Sequence, residues 1–353
     1  MNRIATKLAA VLSLTIATCV PSGSQTTDGF ELSGPHNHKN LTIFLIHGKD
    51  RWTGPIPLTL QEALAQKKAT VHETGVVQEL SVENLSSKDQ VYIQSGDIVK
   101  GGKQDRLLVT DLVLPPKSGK VPIAAFCVEP GRWSRRGKEA ADWFASSDEQ
   151  LPSKDLKMAA RVKGDQQAVW NAAAVVTQRV GQGGMSGSGA GSGIGPGPAP
   201  AAIVGTMSAT TSLAVAVEAS GVRESAEDYT KALASVVARD DDVLGFAFAV
   251  NGKLSAAEVF ASRDLFRRMW PKLLKASAIE AMSEYRTNLK VEPVTQEAAR
   301  RFLDEAASGA VSKRELTGRI GLVKKETDKS YLFETWDKDR KESWVHRSYL
   351  AKE

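Results

Sequence analysis

Cysteine is nearly absent from this chain of 353 residues: Cys19 and Cys127 are the only two. That excludes a disulfide-stapled scaffold and any paired CxxC metal or redox site, so stability must come from a packed core. The 42% hydrophobic content and the chain length allow one large or two modest domains. HExxH and G-x-S-x-G are also missing, which removes the helical zinc-protease motif and the strand-to-helix nucleophile elbow. The five histidines (His36, His38, His47, His72, His346) lack metal-ligand spacing, apart from His36-x-His38, which reads as part of a solvated tail. An excess of one charge is lacking too, since 46 basic residues face 41 acidic ones. The resulting +5 is too small to argue for nucleic acid. After residue 20 no apolar run is long enough to span a membrane.

What is present begins with an export pattern. Arg3 and Lys7 precede an apolar run over residues 8–20 (LAAVLSLTIATCV), and Pro21-Ser22-Gly23-Ser24 follows at once. Residues 1–20 are therefore expected to be a signal peptide, and the mature chain to be periplasmic or secreted. Ile16-Ala17-Thr18-Cys19 resembles a lipoprotein box, although Thr18 departs from the small residues usual there. Two fates stay open: a lipid anchor on Cys19, the only membrane contact expected, or ordinary cleavage beside it. Both leave Cys127 without an intrachain partner. Loss of Arg3 and Lys7 leaves 44 basic against 41 acidic residues, or +3.

A polar lead covers residues 21–39. Residues 40–180 are the β-rich first half: a strand over 41–47, a helix opened by the capping-box spacing Thr59-Leu60-Gln61-Glu62, then short apolar runs at 76–82, 90–94, 106–114 and 121–129. Turn-formers separate those runs, which suits an antiparallel sandwich or jelly-roll-like sheet. A helix is expected over 166–180. Residues 181–200 hold nine Gly, three Pro and three Ser and are expected to be a disordered insertion. In the α/β second half, 201–310, a helix over 225–238 precedes two strands flanking Asn251-Gly252, a tight-turn signal. A helical stripe through Phe266, Trp270, Leu274 and Met282 follows, with Pro271 expected to kink or divide it. Another helix fits 296–307, and residues 311–353 read as a C-terminal β meander. The fold class expected is α+β.

The densest polar constellation is 95–106 (SGDIVKGGKQDR), joined by 127–133 (CVEPGRW). Gly101-Gly102-Lys103 is no phosphate loop, because Asp97 stands where a glycine is required and Gln104 replaces the magnesium-binding hydroxyl. No cofactor or metal is expected. If the strands leading into the two segments are neighbours, Lys103, Gln104, Arg106, Glu129 and Arg132 converge at one sheet edge with Trp133 as a stacking face. Lys and Arg donate to a carboxylate or phosphate, Glu129 is the candidate acid or base, and Gln104 orients a polar ligand. The competing account is a set of charge pairs that staple tight turns. Cys127 sits in an apolar strand, as an inert buried thiol would.

The stretches VYIQSGDIVKGGKQDRLLVTDLVLPP and VPIAAFCVEPGRW, with the later GFAFAVNGKLSAAEVFASRDLFRRMWPKLLKASAIEAM and WVHRSYL, resemble the domain family associated with ADP-ribosylglycohydrolases and the rhodanese-phosphatase superfamily. The resemblance runs over about residues 40–350. The family is named for its associations, and it implies no catalytic residue. Two functions follow as expectations. The first is an exported, non-enzymatic module whose polar edge binds a small anionic ligand or a protein partner. The second is a hydrolase for a phosphate, ADP-ribose-like or glycosidic substrate, with Glu129 as acid or base and Lys103 and Arg132 stabilising negative charge.

Overall fold

A computed structural model describes residues 28–132, 134, 144–150, 153–186, 212–286, 291–340 and 343–352. The export pattern, Cys19 and Trp133 lie outside the described residues.

The largest layer is an antiparallel sheet of eight strands. In spatial order these are β1 (Glu31–His38), β2 (Leu41–His47), β12 (Val243–Val250), β13 (Lys253–Phe260), β17 (Ser343–Ala351), β16 (Ser330–Asp337), β15 (Ile320–Glu326) and β14 (Ala310–Glu315). Its central strands are buried on both faces, which is why β12 reads VLGFAFAV as an unbroken apolar run rather than an alternating one. On one face Phe246 packs edge-on against Trp270, ring centroids 5.1 Å apart, and beside Phe266. On the other, Phe44, Ile46, Ala247 and Tyr349 meet Ala299 and Leu303. The turn at Asn251-Gly252 takes the expected left-handed angles, φ 51° and 75°.

A second antiparallel sheet has the order β11 (Phe144–Gln150), β7 (Asp97–Gly101), β8 (Arg106–Leu108), β10 (Gly119–Cys127), β5 (Glu79–Asn84) and β4 (Ala69–Glu73). Its outermost strands, β11 and β4, approach one another, so the sheet curls toward closure. A small third sheet joins β3 (Leu58–Thr59), β6 (Val91–Ile93) and β9 (Leu112–Leu114). The capping box forms at the start of α1 (Leu60–Ala65): Glu62 Oε2 accepts from the Thr59 amide at 2.8 Å and Thr59 Oγ1 from the Glu62 amide at 3.2 Å. The remaining α-helices are α2 (Lys154–Met158), α3 (Gln166–Ser186), α4 (Leu213–Glu218), α5 (Ser220–Leu233), α6 (Arg263–Ser283) and α7 (Gln296–Ala307).

The α+β class and the antiparallel β-rich first half are as expected, and so is the C-terminal meander, β14 to β17. Several local expectations are corrected. The polar lead supplies β1, whose cross-strand partners on β2 satisfy a backbone that looks tail-like in sequence. Pro271 does not divide α6; it lies on the exposed side, where its ring stays clear of the core. Helix α3 continues to Ser186, six residues into the Gly-rich stretch, and residues 187–211 lie outside the description. The two halves also interleave, since β2 pairs with β12 across about two hundred residues of chain.

A buried polar seam joins the sheets. His346 Nδ1 and Nε2 each lie 2.9 Å from a carboxylate, Asp111 and Glu258 respectively, and Lys157 Nζ lies 2.9 Å from Glu258. Thr335 Oγ1 donates to Asp111 at 2.6 Å, and Lys272 pairs with Asp97 at 2.8 Å. Burial opposes the imidazolium, but the two acids outweigh it and lift His346 to about 9. Burial likewise works against ionised Glu258, yet Lys157 and His346 bring it down to about 2.

Candidate functional site

The site begins with two tight exits from neighbouring strands. β7 and β8 are joined by residues 102–105, and β10 pairs with β8 so that Cys127 faces Arg106. The chain leaving β10 therefore runs beside that loop, with the Val128 amide donating to the Asp105 carbonyl at 3.1 Å. Gly102 sits at φ 53°, and a Cβ there would come 2.4 Å from the Phe144 ring and 3.0 Å from Glu73 Oε2, so only glycine lets the loop close this tightly.

Gln104, Arg106, Glu129 and Arg132 lie together, Lys103 joins them through its backbone amide, and Trp133 lies outside the described residues. Arg106, wholly buried, donates from NH1 to both the carbonyl and the Oε1 of Gln104 at 3.2 Å, and its NH2 lies 3.8 Å from Glu73. Gln104 Nε2 donates to the Glu129 carbonyl at 2.8 Å. Arg132 spans two carboxylates: Nε to Glu129 Oε2 at 2.6 Å and NH2 to Asp105 Oδ1 at 3.3 Å. Its NH1 reaches the Ser134 carbonyl at 2.6 Å. The backbone amide of Lys103 faces Glu73 Oε2 at 3.5 Å. Arg132 thus engages Asp105 and Glu129, while Arg106 turns to Gln104 and Glu73. Cys127 is buried, and burial first, against the nearby Arg106, raises its thiol, as an inert cysteine requires.

Two members were not foreseen. Glu73 ends β4 on the opposite edge of the sheet and arrives only because the sheet curls. Its side chain is 9% exposed, and among the described residues its Oε1 has no hydrogen-bond partner. Ser212 caps α4, accepting from the Val215 amide at 3.2 Å while its Oγ donates to Asp105 Oδ2 at 2.8 Å. Neither residue has a sequence motif. The only signal was Ser212 followed by the apolar run at 213–217, which suits a helix start.

A second concave region lies elsewhere. The Asn251-Gly252 turn, the end of α6 and the start of α2 line a cleft of about 900 Å³ that includes Lys154, Lys253, Tyr285 and Arg286. At its edge Ser255 Oγ makes a short hydrogen bond to Glu280, whose other oxygen accepts from the Lys154 amide at 3.0 Å. Burial is the main cause that raises Glu280, to about 7.

Among the described residues no three His, Cys, Asp or Glu side chains gather as a metal site, and no helix is long and apolar enough to cross a membrane. Comparison with curated proteins and with solved structures finds no match. One domain family does match, over residues 29–350, in line with the resemblance carried by the motifs around Gln104 and Arg132. The chain belongs to the family of the ARG and Rhodanese-Phosphatase-superfamily-associated Protein domain.

Proposed function

We propose that the chain is an exported ligand-binding module whose site is the cluster of Glu73, Lys103, Gln104, Asp105, Arg106, Glu129 and Arg132. The observation that carries this reading is Glu73 Oε1, a buried carboxylate oxygen with no hydrogen-bond partner among the described residues. Buried polar atoms are almost always bonded, and this one adjoins a set of charged groups already held in place by one another. Glu73 would accept from a hydroxyl or amine of the ligand, and the Lys103 ammonium would attract an anionic group on the same molecule. Arg106 and Arg132, engaged with acceptors of the protein, preorganise the strand ends. The ligand class is a small polar anion carrying hydroxyls, such as a sugar phosphate. The family's association with ARG and rhodanese-phosphatase-superfamily proteins supports a partner-bound setting. Export is supported by Arg3, Lys7 and the apolar run at 8–20.

Thermal shift and calorimetry with ribose 5-phosphate, ADP-ribose and inorganic phosphate test the site. At least one hydroxyl-bearing phosphate is expected to bind with a Kd below about 1 mM, and Glu73→Gln to weaken it about tenfold. Arg132→Ala is expected to destabilise by about 3 to 5 kcal/mol, because two buried carboxylates lose their cation. If none of the three compounds binds while Arg132→Ala unfolds the chain, the cluster is a structural staple. Cell fractionation tests export, and globomycin-blocked processing would assign the lipid anchor to Cys19.

A further inference from the structure

At the open edge of the eight-stranded sheet, three adjacent strands bring together a serine, a histidine and an aspartate. Ser33, half-buried on β1, places Oγ 2.7 Å from His47 Nε2. His47 ends β2, and its Nδ1 lies 2.8 Å from Asp242 Oδ1. Asp242 immediately precedes β12, and its carbonyl accepts from the Gly48 amide at 3.0 Å, which fixes it beside the histidine. The acidic run is pinned from α6: Arg263 NH1 donates to the Asp241 carbonyl at 2.8 Å and Arg267 NH2 to the Asp240 carbonyl at 3.2 Å.

The order of atoms matters more than the residue types. With the Nδ1 proton directed to Asp242, the lone pair of Nε2 faces the Ser33 hydroxyl, the arrangement that activates a serine. Ser33 also stands where the strand breaks register. The pairing passes from Ser33↔Leu45 to His36↔Ile43, leaving Gly34 and Pro35 without partners on β2. Gly34 has φ 105°, and a Cβ there would lie 2.9 Å from the Ile43 carbonyl oxygen, so the backbone beside the hydroxyl stays bare. His36, the next residue in register, has a buried Nε2 with no hydrogen-bond partner among the described residues.

We propose that Ser33, His47 and Asp242 form a catalytic serine site that hydrolyses carboxylic esters, independently of ligand binding at the Glu73 cluster. Ser33 Oγ attacks the carbonyl carbon as its proton passes to His47 Nε2. Collapse of the tetrahedral species breaks the carbon–alkoxy bond, and His47 returns the proton to the departing alcohol. Water, deprotonated by His47, then attacks the acyl-serine; the acid leaves, and Ser33 regains its proton. The Gly34 amide, next to the nucleophile, is assigned to the oxyanion. Asp242 is a positioning residue. With a side chain 63% exposed it orients His47 less firmly than a buried acid does.

The test treats the full chain with a fluorophosphonate and locates the adduct by peptide mass, alongside hydrolysis of p-nitrophenyl acetate. The expected result is one adduct on Ser33 and ester hydrolysis above buffer that Ser33→Ala abolishes. His47→Gln should slow both by about 100-fold or more. Asp242→Ala should slow them about tenfold, and Asp242→Glu should restore part of the rate. Each variant's melting temperature shows whether it is folded. Absence of an adduct on folded wild type overturns the proposal. So does labelling of Ser33 at an equal rate in folded His47→Gln, which would make the trio a strand-edge hydrogen-bond chain. If His47→Gln unfolds, the wild-type label together with the Ser33→Ala rate decides.

Discussion

His346 sits with no exposed surface between two carboxylates, so its protonated form belongs to the fold. Its folded pKa of about 9 lies above the ordinary 6.5. The stabilisation is therefore complete below pH 6.5 and is lost as the pH rises through 9. Glu280 acts in the same direction, since burial lifts it from 4.5 to about 7 and its contribution is complete below 4.5 and lost through 7. Chemical denaturation is thus expected to show stability falling between pH 6.5 and 9, on the order of 3 kcal/mol for His346 alone. His346→Gln should flatten that part of the profile while lowering stability at pH 6, because Asp111 and Glu258 lose a shared cation. An unchanged pH profile in the variant would show that His346 is neutral in the fold. The sequence offered His346 only as a histidine without metal spacing, because its partners lie 88 and 235 positions away.

Among the elements, α6 shows how position decides what a residue does. Its apolar stripe is plain in the sequence, and Leu265, Phe266, Met269, Trp270, Leu273 and Leu274 are all buried. Pro271 looked like a break, yet the helix runs unbroken from Arg263 to Ser283. Replacing Pro271 with Ala restores an amide on the exposed side and is expected to stabilise by about 1 to 2 kcal/mol, offset in part by a freer unfolded chain. A lower melting temperature would mean that the proline shapes the packing of α6 against α5. The runs bounded by turn residues became β5, β6 and β10, but the run over 106–114 divides into β8 and β9 in different sheets, β4 and β7 were not expected as strands, and neither was β1. Gly34, Pro35 and two histidines lower its apolar content, and its order comes from pairing with β2.

At the scale of the molecule, the eight-stranded sheet draws on residues 31–47, 243–260 and 310–351, so neither half closes a core alone. Ending the chain after residue 308 would remove β14 to β17 and leave Phe260 and Glu258 on an open edge. The shortened chain is expected to lose its cooperative thermal transition, whereas in the full chain circular dichroism and tryptophan fluorescence should melt together. Separate transitions in the full chain would show two independent units. The same interleaving draws the candidate ligand site from several stretches, with Glu73 from β4, Gln104 and Asp105 before β8, Arg106 at its start, Glu129 and Arg132 after β10 and Ser212 before α4.

Short-range chemistry settled much by itself. Thr59 and Glu62 cap α1, Asn251-Gly252 turns β12 into β13, and the stripe of α6 is core. These depend on residues a few positions apart, or on one hairpin, where propensity and periodicity act directly. The curl that carries Glu73 across a sheet, the pairing of β2 with β12, and the meeting of Ser33, His47 and Asp242 were decided only in three dimensions. Each depends on strand order and register, which the burial of the whole core selects and no local pattern encodes.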